Sequence, residues 1–358
     1  MSSADGESNA IETRPLSRRE WLAGALVLLG GCRTPGTPAP SSPGLADAGR
    51  IETVTGSIAA DRLGMTLMHE HVLVDFIGAA EVSPSRYDAG EAFKAVLPHL
   101  QQARRLGCET LVECTPAYLG RDPRLLKRLS EASGVQILTN TGYYGAAKDK
   151  HLPAHAFDET AEQLAARWVR EHERGIDDTG IKPAFMKIGV DESPLSRVDA
   201  KLVRAAALAH RETGLPIAAH TTSGAAALEE LDLLAAAAVP LSAFIWVHAH
   251  AERDETFHER AARRGAWVEF DGVSAATVAR HVALVGRMKA EGLLGHVLVS
   301  HDAGWYRVGE TGGGEFRPYD TLFTTFIPAL KAAGFGDGEI RQLLVENPRA
   351  ALARRTSL

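Results

Sequence analysis

From about residue 51 the chain alternates two kinds of pattern. Short aliphatic and β-branched runs recur, and between them lie Ala/Leu/Arg-rich stretches with apolar positions three and four apart, the spacing of helices that bury one stripe. The strand candidates are TLMHEHVLVD (66–75), ETLVECT (109–115), QILTNTGYY (136–144), AFMKIGV (184–190), PIAAHTT (216–222), AFIWVHAH (243–250), AWVEFDGV (266–273) and HVLVSHDA (296–303). Helical segments are read at 91–105, 159–174, 196–213, 225–238, 254–264 and 277–291. Most of the runs are apolar with little alternation, as in parallel strands buried on both faces. Eight strands alternating with helices predict an α/β fold, a (β/α)8 barrel over 51–358, since a doubly wound sheet usually has fewer strands.

The first fifty residues break the pattern. Ser17-Arg18-Arg19-Glu20-Trp21-Leu22 is a twin-arginine motif, followed by the apolar run WLAGALVLLGG and Cys32. That run is short for a bilayer span and suits the core of an export signal. Leu29-Gly30-Gly31-Cys32 resembles a lipoprotein processing site, so 1–32 reads as a signal peptide with Cys32 as the lipid-bearing residue. The Pro/Gly/Ser-rich stretch 33–50 reads as a tether. The expectation is export by the twin-arginine route to the periplasm or cell surface, with membrane contact only through the anchor.

Charge and cysteine content narrow the classes. A formal charge of −6 and a pI near 6.2 leave no basic stripe for nucleic acid. Three cysteines cannot build a disulfide framework, and Cys108 and Cys114 read as small buried apolar residues.

The ionisable residues near the strand ends carry the chemistry. In MTLMHEHVLVDF, His69 and His71 share a strand face and Glu70 points to the other. Two imidazoles in a buried strand are costly unless partnered, and a pair of satisfied core histidines competes with half of a metal site. Further along come Lys187, His220, His248 with His250, and Asp302 beside His301. A closed barrel brings such positions to one mouth, where imidazole and carboxylate suit zinc, cobalt, manganese or iron. Lys187 beside cations would be repelled as an ammonium. As a neutral amine it can take up carbon dioxide and become a bridging carbamate. It can also be read as snorkelling to the barrel mouth or as a Schiff-base lysine, although the histidines have no role in an aldolase of that kind.

These pieces together, MHEHV, MKIGVDE, IAAHT, WVHAH, EFDGVS, LVSHDAGWY and VENPRAALA, resemble the phosphotriesterase family of the amidohydrolase superfamily, with the match running from about 51 to 352. The resemblance implies two divalent ions. His69, His71 and Asp302 would hold one, His220 and His248 the other, and carboxylated Lys187 and a hydroxide would bridge them. The hydroxide would attack an ester, lactone or phosphoester centre of a small-molecule substrate, with Asp302 taking up its proton. His250 is placed further out in the pocket, sharing the face of His248, and His301 is structural. Tyr144 is matched to a lactone-positioning tyrosine, with Tyr143 beside it, and Trp305 and Tyr306 begin a pocket-lining loop. The aspartate and histidine that relay protons in organophosphate-degrading members correspond to Ala251 and Gly272. Glu252, Asp271 or His250 are the available substitutes. The Gly-rich stretch 308–316 is read as a mobile loop because it lacks the features of a phosphate cradle. The leading expectation is a metal-dependent hydrolase, possessing the family's tendency to form a homodimer. An amide hydrolase on the same site, or a tethered metal-binding lipoprotein without turnover, are the alternatives.

Overall fold

The computed structural model describes residues 49–354. The twin-arginine motif, Cys32 and most of the tether lie outside the described residues. A short antiparallel hairpin comes first, β1 (Arg50–Thr53) with β2 (Gly56–Ala59). The chain then runs through β3 (Thr66–Val74), α1 (Ala89–Arg105), β4 (Thr110–Glu113), α2 (Pro123–Ser133), β5 (Gln136–Leu138) and β6 (Asn140–Thr141). Next come α3 (His155–Asp158), α4 (Ala161–Arg174), β7 (Phe185–Gly189), α5 (Arg197–Thr213), β8 (Ile217–His220), α6 (Gly224–Ala236) and β9 (Phe244–Val247). The last elements are α7 (Thr256–Arg263), β10 (Trp267–Phe270), α8 (Val278–Ala290), β11 (Val297–Val299), β12 (Ala303–Arg307), α9 (Ile327–Ala332), α10 (Asp337–Arg341) and α11 (Asn347–Leu352).

Strands β11-β10-β9-β8-β7-β6 and β12-β3-β4-β5 form two parallel arcs of one barrel. The third barrel strand is split: β5 pairs with β4 and β6 with β7. The eighth is also split, β11 pairing with β10 and β12 with β3. The fold is the expected (β/α)8 barrel. Asp122 and Pro123 start α2, Thr160 and Gln163 close a reciprocal cap on α4, and Ser196 caps α5, so these three crossover helices begin with first-turn N–H groups capped.

Inside, Met68, Val112, Leu138, Phe185, Ala218, Ile245, Trp267 and Leu298 fill the lower barrel. Ile51 from the hairpin and Leu352 from α11 join that cluster, closing the end opposite the strand tips. The interior is therefore a packed apolar plug with one polar end, at the C-terminal tips of the strands.

The strands are shorter than the sequence pattern suggests. β9 ends at Val247 and β11 at Val299, so His248, His250 and Asp302 stand beyond the ladders. His248 and Asp302 adopt left-handed backbone, with φ 64° and 52°. The expectation that His250 shares a strand face with His248 is therefore corrected, because 249–251 is a helical turn. Trp305 and Tyr306 are likewise corrected from loop to strand: they belong to β12, where Tyr306 is in register with Leu73.

Candidate metal centre

Strand β3 organises one half of the site. His69 and His71 point inward with their Nε2 atoms 3.2 Å apart. Glu70, on the opposite face, grips the segment that carries Asp302. Its Oε1 accepts from the Ser300 hydroxyl at 2.8 Å, the His301 N–H at 3.1 Å and the His301 ring at 2.7 Å, and its Oε2 accepts from the Ala303 N–H at 2.8 Å. Asp302 itself donates its N–H to the His69 carbonyl at 3.0 Å. Its Oδ1 consequently sits 3.2 Å from His71 Nε2 and 3.8 Å from His69 Nε2. Burial opposes ionisation of Asp302, but His71, His69 and His248 outweigh it and hold the carboxyl well below its usual range. The tight passage depends on Gly304 (φ 97°): a Cβ there would lie 1.8 Å from the His71 carbonyl. His301 is structural, as expected, since its Nε2 accepts the Leu322 N–H at 2.7 Å.

Asp271, just past β10, organises the other half. Its Oδ2 is 2.8 Å from His69 Nδ1, and its Oδ1 is 2.9 Å from the Nδ1 atoms of both His248 and His250. The His248 N–H also donates to Oδ2 at 3.1 Å. Burial raises the carboxyl pKa, yet the charges of His248 and His69 and the hydrogen bonds of His248 and His250 drive it well below the ordinary value. Engaging Nδ1 leaves Nε2 of His69 and His248 free, and Thr115 does the same for His71 by meeting its Nδ1 at 2.8 Å. A carboxylate behind His69 and His248 and a hydroxyl behind His71 fix the tautomer and the ring direction that a metal requires. Burial lowers the His69 pKa to about 4, so its ring is neutral and ligand-competent at pH 7.

Lys187 and His220 complete the mouth. In the β7–β8 register Lys187 faces Ala218 and Gly189 faces His220. Gly189 leaves room for Tyr144: a Cβ there would meet the Tyr144 ring at 2.8 Å. The tyrosine packs edge-on against His220 with ring centres 4.9 Å apart, and its hydroxyl lies 3.2 Å from His220 Nε2. Lys187 is 2 % exposed and has no ion-pair partner among the described residues. Its ammonium lies 5.8 Å from the centre of the Tyr144 ring.

All six predicted ligands, His69, His71, Lys187, His220, His248 and Asp302, line one cavity of about 160 Å³, with Tyr144 and Trp305 in its wall. The donor set fits divalent cations. His69, His71 and Asp302 present ligand atoms within 4.8 Å of one another, and the buried Asp302 Oδ1 has no hydrogen-bond partner. A second close group, His69, His248 and Asp271, is explained by the Nδ1 contacts above.

His250 is not in the wall of this cavity. It lies on Asp271, with Nε2 where a side chain at Gly272 would begin, 2.4 Å from the Cβ position. The space beside Gly272 is thus filled by the His250 ring. Among the other relay substitutes, Glu252 is turned away and accepts the Gly224 N–H at 2.7 Å. Tyr143 belongs to a neighbouring cluster, its hydroxyl 3.0 Å from His155 Nε2. The Gly-rich stretch does not line the cavity; Phe316 stacks on His99 of α1 at 4.2 Å. Sequence reasoning missed the work of Glu70, Thr115 and Asp271 as partners, and His151 in the cavity wall. Asp271 was within reach, because period-two counting from the inward Trp267 places it on the inner face. His151 lies in a loop, where no period applies.

Imidazole, lysine and carboxylate side chains gathered in one cavity at the strand tips of a (β/α)8 barrel define a candidate metal centre of this architecture. The sequence profile of the phosphotriesterase family matches residues 49–352, and the chain belongs to that family. It is 31 % identical to the phosphotriesterase homology protein of Escherichia coli K12, over 80 % of this chain and 97 % of that one. It is 25 % identical to the N-acetyltaurine hydrolase of Dictyostelium discoideum, over 85 % of this chain and 98 % of that one. A crystal structure of a variant PTE-like lactonase from Deinococcus radiodurans superposes with a TM-score of 0.76 at 27 % identity, covering 84 % of this chain and 99 % of that one.

Proposed function

We propose that this protein is a metal-dependent hydrolase that opens ester, lactone or phosphoester bonds in small molecules. The observation that carries the reading is the convergence of six donor side chains on one cavity. His69, His71 and Asp302 would hold one divalent ion, zinc, cobalt, manganese or iron, and His220 and His248 a second. Carbamylated Lys187 would lie between them. Supporting the carbamate, Lys187 is buried with no carboxylate within ion-pair distance among the described residues. Ions held there would lower the pKa of a water between them and polarise the oxygen of the bond under attack. Asp302 takes the proton of the attacking water. Tyr144 orients the acyl oxygen, and Phe76, Leu119 and Trp305 keep bulk water from the apolar part of the substrate. No side chain forms a covalent intermediate.

A second reading, amide hydrolysis on the same site, is favoured by the relative named N-acetyltaurine hydrolase. Phosphotriester turnover is the weaker part of the first reading, because Ala251 and Gly272 stand at the relay positions. The sequence motifs at 17–22 and 29–32 further support export by the twin-arginine route and a lipid anchor at Cys32.

The test is turnover of p-nitrophenyl esters, lactones, paraoxon and N-acetyl amides by metal-reconstituted protein. Activity is expected to vanish on chelation, return with added metal, and be lost in Lys187→Ala. Full turnover and unchanged metal content in Lys187→Ala would contradict the bridging role.

A further inference from the structure

A second cavity, of about 600 Å³, lies outside the metal cavity. Tyr87, Tyr118 and Tyr143 supply much of its wall, together with Leu73, Val82 and Leu125. It is larger than the metal cavity, falls in the size range of small-molecule sites, and none of the six proposed ligands borders it. The proposed hydrolysis has no use for it.

The two cavities share three stretches of wall. Along 73–76, Leu73 and Asp75 line the second cavity, Val74 and Phe76 the first. Along 116–120, Ala117, Tyr118 and Gly120 line the second, Pro116 and Leu119 the first. Tyr143 and Tyr144 divide in the same way. Tyr118 takes a left-handed backbone, φ 66°, a conformation rare for a large aromatic residue and kept only where the surroundings enforce it. The turn around it is held by the Leu119 N–H on the Pro116 carbonyl at 3.2 Å and by the Asp75 N–H on the Leu119 carbonyl at 2.7 Å. Tyr118 meets Tyr143 edge-on, with ring centres 5.4 Å apart, and the pair forms an aromatic corner of the second cavity.

The charges of the wall decide what suits it. Asp75 is paired with Arg86 at 2.6 Å, and Arg121 with Glu171 at 2.7 Å. Asp122 is spent on the start of α2, accepting the Arg124 and Leu125 N–H groups at 3.0 and 3.1 Å, and on the Tyr87 hydroxyl at 2.5 Å. Arg124, Arg128 and Asp177 are left without an ion-pair partner among the described residues. Arg124 and Arg128 stand one turn apart on one face of α2, and Arg128 rests on the Phe93 ring at 4.9 Å. Two unpaired guanidiniums against one carboxylate, beside an aromatic and aliphatic wall, suit an anion with a flat apolar body.

We propose that this second cavity is a binding site for a small aromatic carboxylate, its charge held by Arg124 and Arg128 and its ring on the corner made by Tyr118 and Tyr143. The occupant lies behind the wall that Leu119 and Tyr144 present to the metal cavity.

Calorimetric titration of the metal-loaded protein tests this with 2-naphthoate and its neutral counterpart 2-naphthylmethanol. The carboxylate should bind about tenfold or more tightly than the alcohol, the scale of one charge-assisted contact. Arg124→Gln/Arg128→Gln should bring the two to within about twofold of each other. Val82→Trp, which fills the cavity from its loop, should abolish binding of both. His220→Ala, in the metal cavity, should leave the affinity for 2-naphthoate unchanged. In protein carrying ¹³C-labelled tyrosine, the ring signals of Tyr118 and Tyr143 should shift on saturation. No binding at millimolar 2-naphthoate, equal affinities for acid and alcohol in wild type, or a preference that survives the double arginine variant overturns the proposal. Binding lost in His220→Ala but kept in Val82→Trp overturns it too, because the probe would then sit in the metal cavity. Should Val82→Trp fail to fold, the double arginine variant, on the exposed face of α2, still decides. Turnover enters nowhere, so the outcome is independent of the hydrolase reading.

Discussion

Two His-x-His pairs stand at the mouth of this barrel, and they behave differently. His69 and His71 lie within the regular strand β3, so both rings face the centre and Glu70 faces away. His248 and His250 have the same spacing, but β9 has ended at Val247 and a left-handed turn separates them. His248 reaches the centre and His250 lies on Asp271 over Gly272. Spacing of two implies a shared face only where the ladder continues. Beyond the strand tip, each side chain goes where its hydrogen-bond partner stands.

The sharpest way to break this comparison is to truncate one ring of the first pair and each ring of the second in turn. His71→Ala and His248→Ala should each lower kcat/KM by about a thousandfold or more, roughly 4 kcal/mol of transition-state stabilisation. His250→Ala, which removes no proposed ligand, should cost less than about tenfold. Equal losses at 248 and 250 would show that the second pair works like the first.

The residue between the first pair is the next target. Glu70→Gln keeps the shape but cannot accept from Ser300, His301 and Ala303 together. A fall of about 10- to 100-fold in metal affinity is expected, the usual scale for a lost outer-shell partner, read by competition with a chromogenic chelator. An unchanged affinity would mean that Asp302 holds its strained backbone without this clamp.

Gly272→Ala sharpens the view of the second pair. Its new methyl meets the His250 ring, so an overpacking cost of about 1–3 kcal/mol is expected in chemical denaturation. Combining it with His250→Ala should recover most of that loss. Additive losses would place His250 elsewhere.

The last prediction concerns pH and a carboxyl away from the mouth. Glu230 is fully buried, its Oε2 accepts the Thr221 hydroxyl at 2.7 Å, and burial pushes its pKa up to about 8. An unfolded glutamate ionises near 4.5, so between these values the unfolded chain has lost a proton that the native protein keeps. Stability from this group is therefore lost as pH rises from about 4.5 to about 8, by up to a few kcal/mol. Glu230→Gln should melt close to wild type at pH 5 and gain on it progressively toward pH 8. Parallel melting curves across that range would rule out a native proton at Glu230.

The same contrast explains how much could be read in the sequence. The barrel was legible because buried strands and striped helices carry different periods, and the convergence of the six proposed ligand positions because each falls at or just past an apolar run. The strand ends were not, since Val247-His248 and Ser300-His301-Asp302 continue the apolar-polar pattern while the backbone turns left-handed. The helix α2 has a plain start at Asp122-Pro123, but its Arg- and Lys-rich face masks the apolar stripe of Leu125, Leu126 and Leu129. Partners such as Asp271 and Glu70 carry no local signal of what they hold, because their hydrogen bonds join segments far apart: Glu70 reaches across 231 positions to His301.

The most direct test of the central claim is metal stoichiometry and position together: elemental analysis of reconstituted protein and anomalous scattering at the metal edge. Two divalent ions per chain are predicted, one against His69, His71 and Asp302 and one against His220 and His248, with density for a carbamate on Lys187 between them. Crystals from metal-saturated solution with no anomalous peak at these side chains, or with ions bound only elsewhere, would contradict it.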